Sequence, residues 1–236
     1  MPSKSLSHEF NGVRYEGYLA WNSAVTGPRP GVLVIHEATG IGEHARERAD
    51  RIAEELGYSA FAMDLFGENP SSVDGMLGWI GRLLSDPAEL HGRLRAGLAA
   101  LCSDSCVDPA RIGAIGYCFG GTAAIELGRC GADVKAIVAF HAGLQGTATP
   151  AANISGKVLV CNGAQDPFMP NESLKTFVDE MNAAGVDWQM LLLGGARHSY
   201  TNVHAGSFGS DAYAYDAKAD ARSWEAMSVL FEDAFD

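Results

Sequence analysis

The chain predicts an α/β fold, a mostly parallel, doubly wound sheet with helices on both faces. Three observations point there. Short runs that are apolar at nearly every position, such as Gly31 to Ile35 and Ala136 to Phe140, suit strands buried on both faces. These runs alternate with segments of helical period along the whole length. The 236 residues contain no internal repeat and no long linker, so a single domain over 1–236 accounts for the chain.

Taken in order, Phe10-Asn11-Gly12-Val13 puts an Asn-Gly turn between apolar residues and predicts a hairpin, with Tyr15 to Trp21 as the return strand. After the Gly27-Pro28-Arg29-Pro30 loop comes the strand Gly31 to Ile35. Glu43 to Leu56 has Ala45, Ala49, Ile52, Ala53 and Leu56 on one helical face, and Gly57 stops it. Ser59 to Met63 is the next strand. Residues 66–85 are Gly- and Ser-rich with scattered apolar residues, the composition expected of a lid or cap segment. Asp86-Pro87-Ala88-Glu89 reads as a capping box opening a helix through Leu90, Leu94, Leu98 and Leu101. Strand Arg111 to Ile115 leads into the helix-like run Thr122 to Leu127. Ala136 to Phe140, Lys157 to Val160 and Trp188 to Leu193 complete the strands, with helices over Asn171 to Ala184 and Asp220 to Phe235.

Net charge is −12 and no run of Lys or Arg occurs, which argues against nucleic acid or an anionic membrane as partner. The polar N-terminus and the lack of a membrane-length apolar stretch predict a cytoplasmic protein. Five scattered cysteines without CxxC spacing predict free thiols, not a disulfide framework. His36-Glu37 follows an apolar strand and lacks a second ligand four residues on, so neither a metal nor another cofactor is expected. Nothing in the pattern selects between a monomer and a homodimer.

The chemistry concentrates at Gly116-Tyr117-Cys118-Phe119-Gly120. It sits between a strand and a helix, the setting in which G-x-S-x-G holds a nucleophile at the top of an α/β-hydrolase sheet, here with cysteine for serine. A buried structural cysteine in a glycine-rich turn is the plain alternative. Three further strand ends carry Glu37, Asp166 and His198. Asp166 follows Cys118 by 48 positions and His198 follows Asp166 by 32, the nucleophile–acid–histidine order of α/β-hydrolases. Asp166 precedes Pro167 and equally suits a turn; for Glu37, which directly ends a core strand, the active-site role is favoured over pairing with an arginine such as Arg46 or Arg82.

Five landmarks resemble the dienelactone hydrolases: Val34-Ile35-His36-Glu37, Asp64-Leu65-Phe66-Gly67, Gly116 to Gly121, Gly163-Ala164-Gln165-Asp166 and His198-Ser199-Tyr200. The resemblance implies an ester or lactone hydrolase with a Cys118–His198–Asp166 triad. It implies that Glu37 contacts the resting thiol and that the amides of Ala38 and Phe119 form the oxyanion hole. It also implies arginines that hold a substrate carboxylate. Asn202 occupies one of those positions and Arg82 corresponds to the other; Arg197 either replaces the missing cation or faces solvent. A pocket edged by Phe66, Trp79, Phe119 and Tyr200 is therefore expected to take neutral, partly aromatic small-molecule esters, with activated phosphotriesters as a side activity. The competing reading is a thiol sensor of peroxide or electrophiles on the same fold, which needs no His198–Asp166 pair.

Overall fold

The computed structural model describes residues 1–236. Eight strands form one sheet in the order β1-β2-β4-β3-β5-β6-β7-β8. They are β1 (Ser3–Phe10), β2 (Val13–Ala20), β3 (Arg29–Ile35), β4 (Ser59–Met63), β5 (Val107–Tyr117), β6 (Ala136–Phe140), β7 (Lys157–Gly163) and β8 (Trp188–Leu193). β1 and β2 pair as an antiparallel hairpin across Asn11-Gly12, whose positive φ values of 51° and 73° fit the right-handed twist of the ribbon. β2 joins β4 antiparallel; every other pairing is parallel.

Six helices cover the sheet: α1 (Glu43–Arg51), α2 (Val73–Ser85), α3 (Pro87–Ser103), α4 (Phe119–Arg129), α5 (Asn171–Ala184) and α6 (Ala217–Phe235). α1 and α6 bury their apolar stripes on one face, while α3, α4 and α5 bury theirs on the other. The expected helix 43–56 divides after Arg51 into a π-helical turn, Ile52–Leu56, that ends on left-handed Gly57. Residues 66–85 hold a regular helix, α2, begun by Ser72 accepting the Gly75 amide at 3.1 Å. The capping box before α3 is half made. Asp86 accepts the Glu89 amide at 3.0 Å, but the Glu89 carboxylate goes to Arg82 and Arg93, each at 2.6 Å.

The chain order in the sheet reverses between β3 and β5, and a crevice opens beyond their carboxyl ends. Glu37-Ala38 follows one of these strands and Cys118-Phe119 the other, so the reversal itself brings them together.

Candidate active site

Cys118 caps α4 with φ 55° and ψ −121°, a strained backbone for a residue with a side chain. The turn is this tight because β5 and α4 are in contact around it. A Cβ on Gly116 would lie 1.9 Å from the Gly120 carbonyl oxygen, and one on Gly120 would lie 2.3 Å from the Ile35 oxygen, so both positions require glycine. The Phe119 amide, first in α4, has no partner in the chain, whereas the Gly121 amide already donates to the Cys118 carbonyl at 3.0 Å. The Ala38 amide donates to no group of the chain. Its peptide is fixed from the opposite side by His36. The Leu65 amide donates to His36 Nε2 at 3.0 Å, which leaves the ring proton on Nδ1, donated at 2.6 Å to the Glu37 carbonyl. In a trans peptide that C=O points opposite to the Ala38 N–H, so His36 aims the amide toward the crevice.

Asp166 and His198, from the loops after β7 and β8, meet at 2.7 Å through Oδ2 and Nδ1, both buried. The other Asp166 oxygen accepts the Phe168 amide at 2.8 Å, so the turn role and the histidine contact coexist. His198 is held by its backbone as well: its amide donates to Ala212 and its carbonyl accepts from Ala214. The rings of Phe168 and Tyr213 stand edge-on to the imidazole at 5.0 and 5.6 Å. Burial disfavours the charged ring, but the neighbouring Cys118 and Asp166 outweigh it through charge and hydrogen bonding, raising the His198 pKa to about 10.

Glu37 pairs with neither expected arginine. Its oxygens accept Ser199 Oγ at 2.9 Å and Asn202 Nδ2 at 2.7 Å, and no bond to the Cys118 thiol is formed. Arg82 lies out on α2 with Glu89, Arg46 lies over the Tyr18 ring, and Arg197 donates to the Asp211 carbonyl at 3.0 Å. None of the three lines a cavity beside Cys118.

Two cavities meet at Cys118. The larger, about 310 Å³, is walled by α2 through Met76, Leu77 and Ile80, and by Phe119, Phe168 and Tyr213. The smaller, about 170 Å³, runs past Ala38 and Thr39 to Glu37, Ser199 and Phe208. Of the four aromatic residues expected at the rim, only Phe119 lines a cavity. Phe66 stacks behind it at 6.0 Å and Trp79 behind Phe66 at 5.1 Å, so these two form the layer under the wall. Tyr200 is fully buried, its hydroxyl donating to the Cys161 carbonyl at 3.1 Å. Phe168 and Tyr213 take the place at the wall. They sit in loops with no periodic pattern, and only their nearness in sequence to Asp166 and His198 hints at the role.

The sequence pattern of the dienelactone hydrolase family matches residues 15–235. A protein of Synechocystis described as a "putative carboxymethylenebutenolidase" is 30% identical over 241 residues, covering 93% of this chain and 92% of that one. Among solved structures, the dienelactone hydrolase-like promiscuous phosphotriesterase P91 from metagenomic libraries superposes with a TM-score of 0.95 at 42% identity, covering 100% of this chain and 99% of that one. Dienelactone hydrolase from Anabaena variabilis shares the α/β-hydrolase fold at 17% identity, with a TM-score of 0.70 and coverage of 100% and 99%.

Proposed function

The chain belongs to the dienelactone hydrolase family and is a hydrolase of ester or lactone bonds; on that premise we propose that it cleaves neutral, largely apolar esters through a covalent acyl-cysteine on Cys118. The observation that carries this reading is the 2.7 Å His198–Asp166 contact beside a nucleophile-type turn that opens on an apolar cavity.

In the first half-reaction the Cys118 thiolate attacks the carbonyl carbon and the C=O electron pair moves onto oxygen. The amides of Ala38 and Phe119 receive that oxyanion, each donor worth about 3 kcal/mol in such sites. Collapse breaks the C–O bond, and the departing alkoxide takes the proton from the His198 imidazolium. In the second half-reaction neutral His198 takes a proton from water, the resulting hydroxide adds to the thioester, and thiolate leaves. Asp166 orients the ring and stabilises its cation in both halves.

Neutral substrates are favoured because no Lys or Arg lines either cavity and Asn202, at a position where the family carries arginine, is committed to Glu37. One bulky apolar arm in the larger cavity and one small arm in the smaller would fill both. A thiol sensor has no use for the Asp166–His198 contact, which favours the hydrolase reading. The largely apolar cavity, without Lys or Arg in its wall, and the 42% identical relative described as a promiscuous phosphotriesterase also favour a second activity on activated neutral phosphotriesters.

The test is mass spectrometry of protein quenched early in turnover of 4-nitrophenyl acetate. One acetyl group on the peptide bearing Cys118 is expected; acetyl elsewhere, or none during steady turnover, overturns the reading. For the second activity, release of nitrophenol from an aryl dialkyl phosphotriester is expected, and its absence while the acetate turns over removes that activity.

A further inference from the structure

Behind Cys118, ending at Glu37 in the wall of the smaller cavity, lies a buried set of polar residues that the hydrolytic steps do not use. The amide of Cys118 donates to His141 Nδ1 at 3.1 Å, in addition to the Phe140 carbonyl at 3.0 Å. His141 Nε2 lies 2.8 Å from Thr201 Oγ1, and Thr201 Oγ1 lies 3.2 Å from His44 Nε2. His44 Nδ1 has no hydrogen-bond partner and lies 3.6 Å from Glu37 Oε2.

The directions of these bonds follow from the two ends. A backbone amide can only donate, so His141 Nδ1 is an acceptor and its proton sits on Nε2. Nε2–H therefore donates to Thr201 Oγ1, whose own hydroxyl proton is left for His44 Nε2. At the other end Arg48 Nε, which also can only donate, points at the same His44 Nε2 from 3.3 Å. His44 Nε2 is thus an acceptor and its proton sits on Nδ1, facing the Glu37 carboxylate. The two histidines are fixed in opposite tautomers, with the Thr201 hydroxyl and the Arg48 Nε–H sharing the lone pair of His44 Nε2.

We propose that His141 is a positioning residue, the first member of a His141–Thr201–His44 relay that holds the amide of Cys118 at one end and presents an N–H to Glu37 at the other. The backbone agrees. Besides the hairpin residue Asn11, only Cys118, His141 and Ser199 among non-glycine residues have positive φ, and all three are tied into this network or its Glu37 terminus. Strained backbone of this kind persists where surrounding bonds over-determine it. The His141 ring also stands edge-on to that of His198 at 5.2 Å, so one side chain braces both the nucleophile's backbone and its proton carrier. Both relay histidines stay neutral. Burial, then the charge of His198, hold His141 well below its ordinary pKa; burial holds His44 at about 4 even though Glu37 pulls the other way.

The inference rests on Cys118 as nucleophile for its catalytic meaning but not for its geometry, so two arms separate the questions. The first uses native protein with ¹⁵N-labelled histidine. Two-bond correlation spectra are expected to show neutral His141 protonated on Nε2 and neutral His44 protonated on Nδ1 throughout the neutral pH range. Matching tautomers, or titration of either ring there, overturns the relay. The second compares Thr201→Val with Thr201→Ser on 4-nitrophenyl acetate. Valine is expected to lower kcat about tenfold, near the worth of one lost hydrogen bond, with KM unchanged; serine is expected to restore kcat to within about twofold. Native kcat in Thr201→Val, or equal loss in both variants, overturns the positioning role, and should valine not fold, loss of kcat in Thr201→Ser does so. If Cys118→Ala still turns over while the tautomers are as stated, the nucleophile assignment fails and the relay stands.

Discussion

The two sides of Cys118 are built from different materials. In front, the larger cavity is apolar and walled partly by exposed residues of α2, with Leu77 60% and Val73 68% accessible. Behind, Glu37, His44, Arg48, His141, Ser199, Thr201, Asn202 and Asp220 are all buried, in a connected set of polar contacts of which Glu37 and Ser199 also reach the wall of the smaller cavity. The contrast separates two tasks. A front of exposed apolar side chains can change shape and substrate preference at small energetic cost. A buried polar back has no such freedom, because any group deprived of its partner there keeps its full desolvation penalty. On the proposed function, binding selectivity falls to the front, and orientation of the reacting groups to the back and to the loops around it.

The first way to break this comparison is His198→Ala, expected to lower kcat for an aryl ester by roughly a thousandfold or more while leaving the far-UV spectrum native. A loss no larger than that of a cavity-wall change would erase the distinction. Next is Asp166→Asn, for which a fall in kcat of about a hundredfold or more is expected. Its pH profile sharpens the point. The folded-state pKa of His198 is raised from 6.5 to about 10, so the imidazolium and the stability it contributes are fully present below about 6.5 and are lost as pH rises toward 10. Asparagine removes one of the groups that raise it, so the alkaline limb of the profile should move to lower pH; an unmoved limb contradicts the assignment.

Arg48→Met probes the stability of the back, at a residue that touches His44 and Thr201 but not Cys118. Arg48 bridges α1 to α6 through a two-pronged pair with Asp220 at 2.9 and 3.1 Å and also donates to the Thr201 carbonyl. Stranding Asp220 is expected to cost about 3–5 kcal/mol in urea unfolding. Smallest is Leu77→Ser at the front, expected to change stability by less than about 0.5 kcal/mol. It should raise KM several-fold for long-chain aryl esters but not for the acetate, since only the longer chain reaches α2. A stability loss matching that of Arg48→Met would show that the front is no freer than the back.

How much of this was legible in the sequence follows the same divide. The strand–turn–helix around Cys118 is local, and the glycine-rich approach to Asp166 and the loop to His198 sit at strand ends, so alternation and spacing expose them. The same strand-end rule points to His141, directly after β6, yet the residue is unreadable as functional until Cys118 and Thr201 are placed on either side of it. Thr201, His44 and Asn202 acquire meaning only through partners far away in the chain. Phe66, Trp79 and Tyr200 show the converse. Their aromatic character predicts packing near the site, but not whether a ring forms the cavity wall or the layer behind it. Similarly, Gly and Ser in 66–85 suggest an irregular cap, whereas Ser72 and the apolar stripe Met76, Leu77, Ile80 suffice for a helix over the cavity.

The most direct test of the central claim is rapid-mixing hydrolysis of 4-nitrophenyl acetate by native protein, Cys118→Ala and His198→Ala. A burst of nitrophenol equal to the enzyme concentration is expected in the native protein, none in Cys118→Ala, and a greatly slowed one in His198→Ala. Turnover unchanged in Cys118→Ala would contradict the claim.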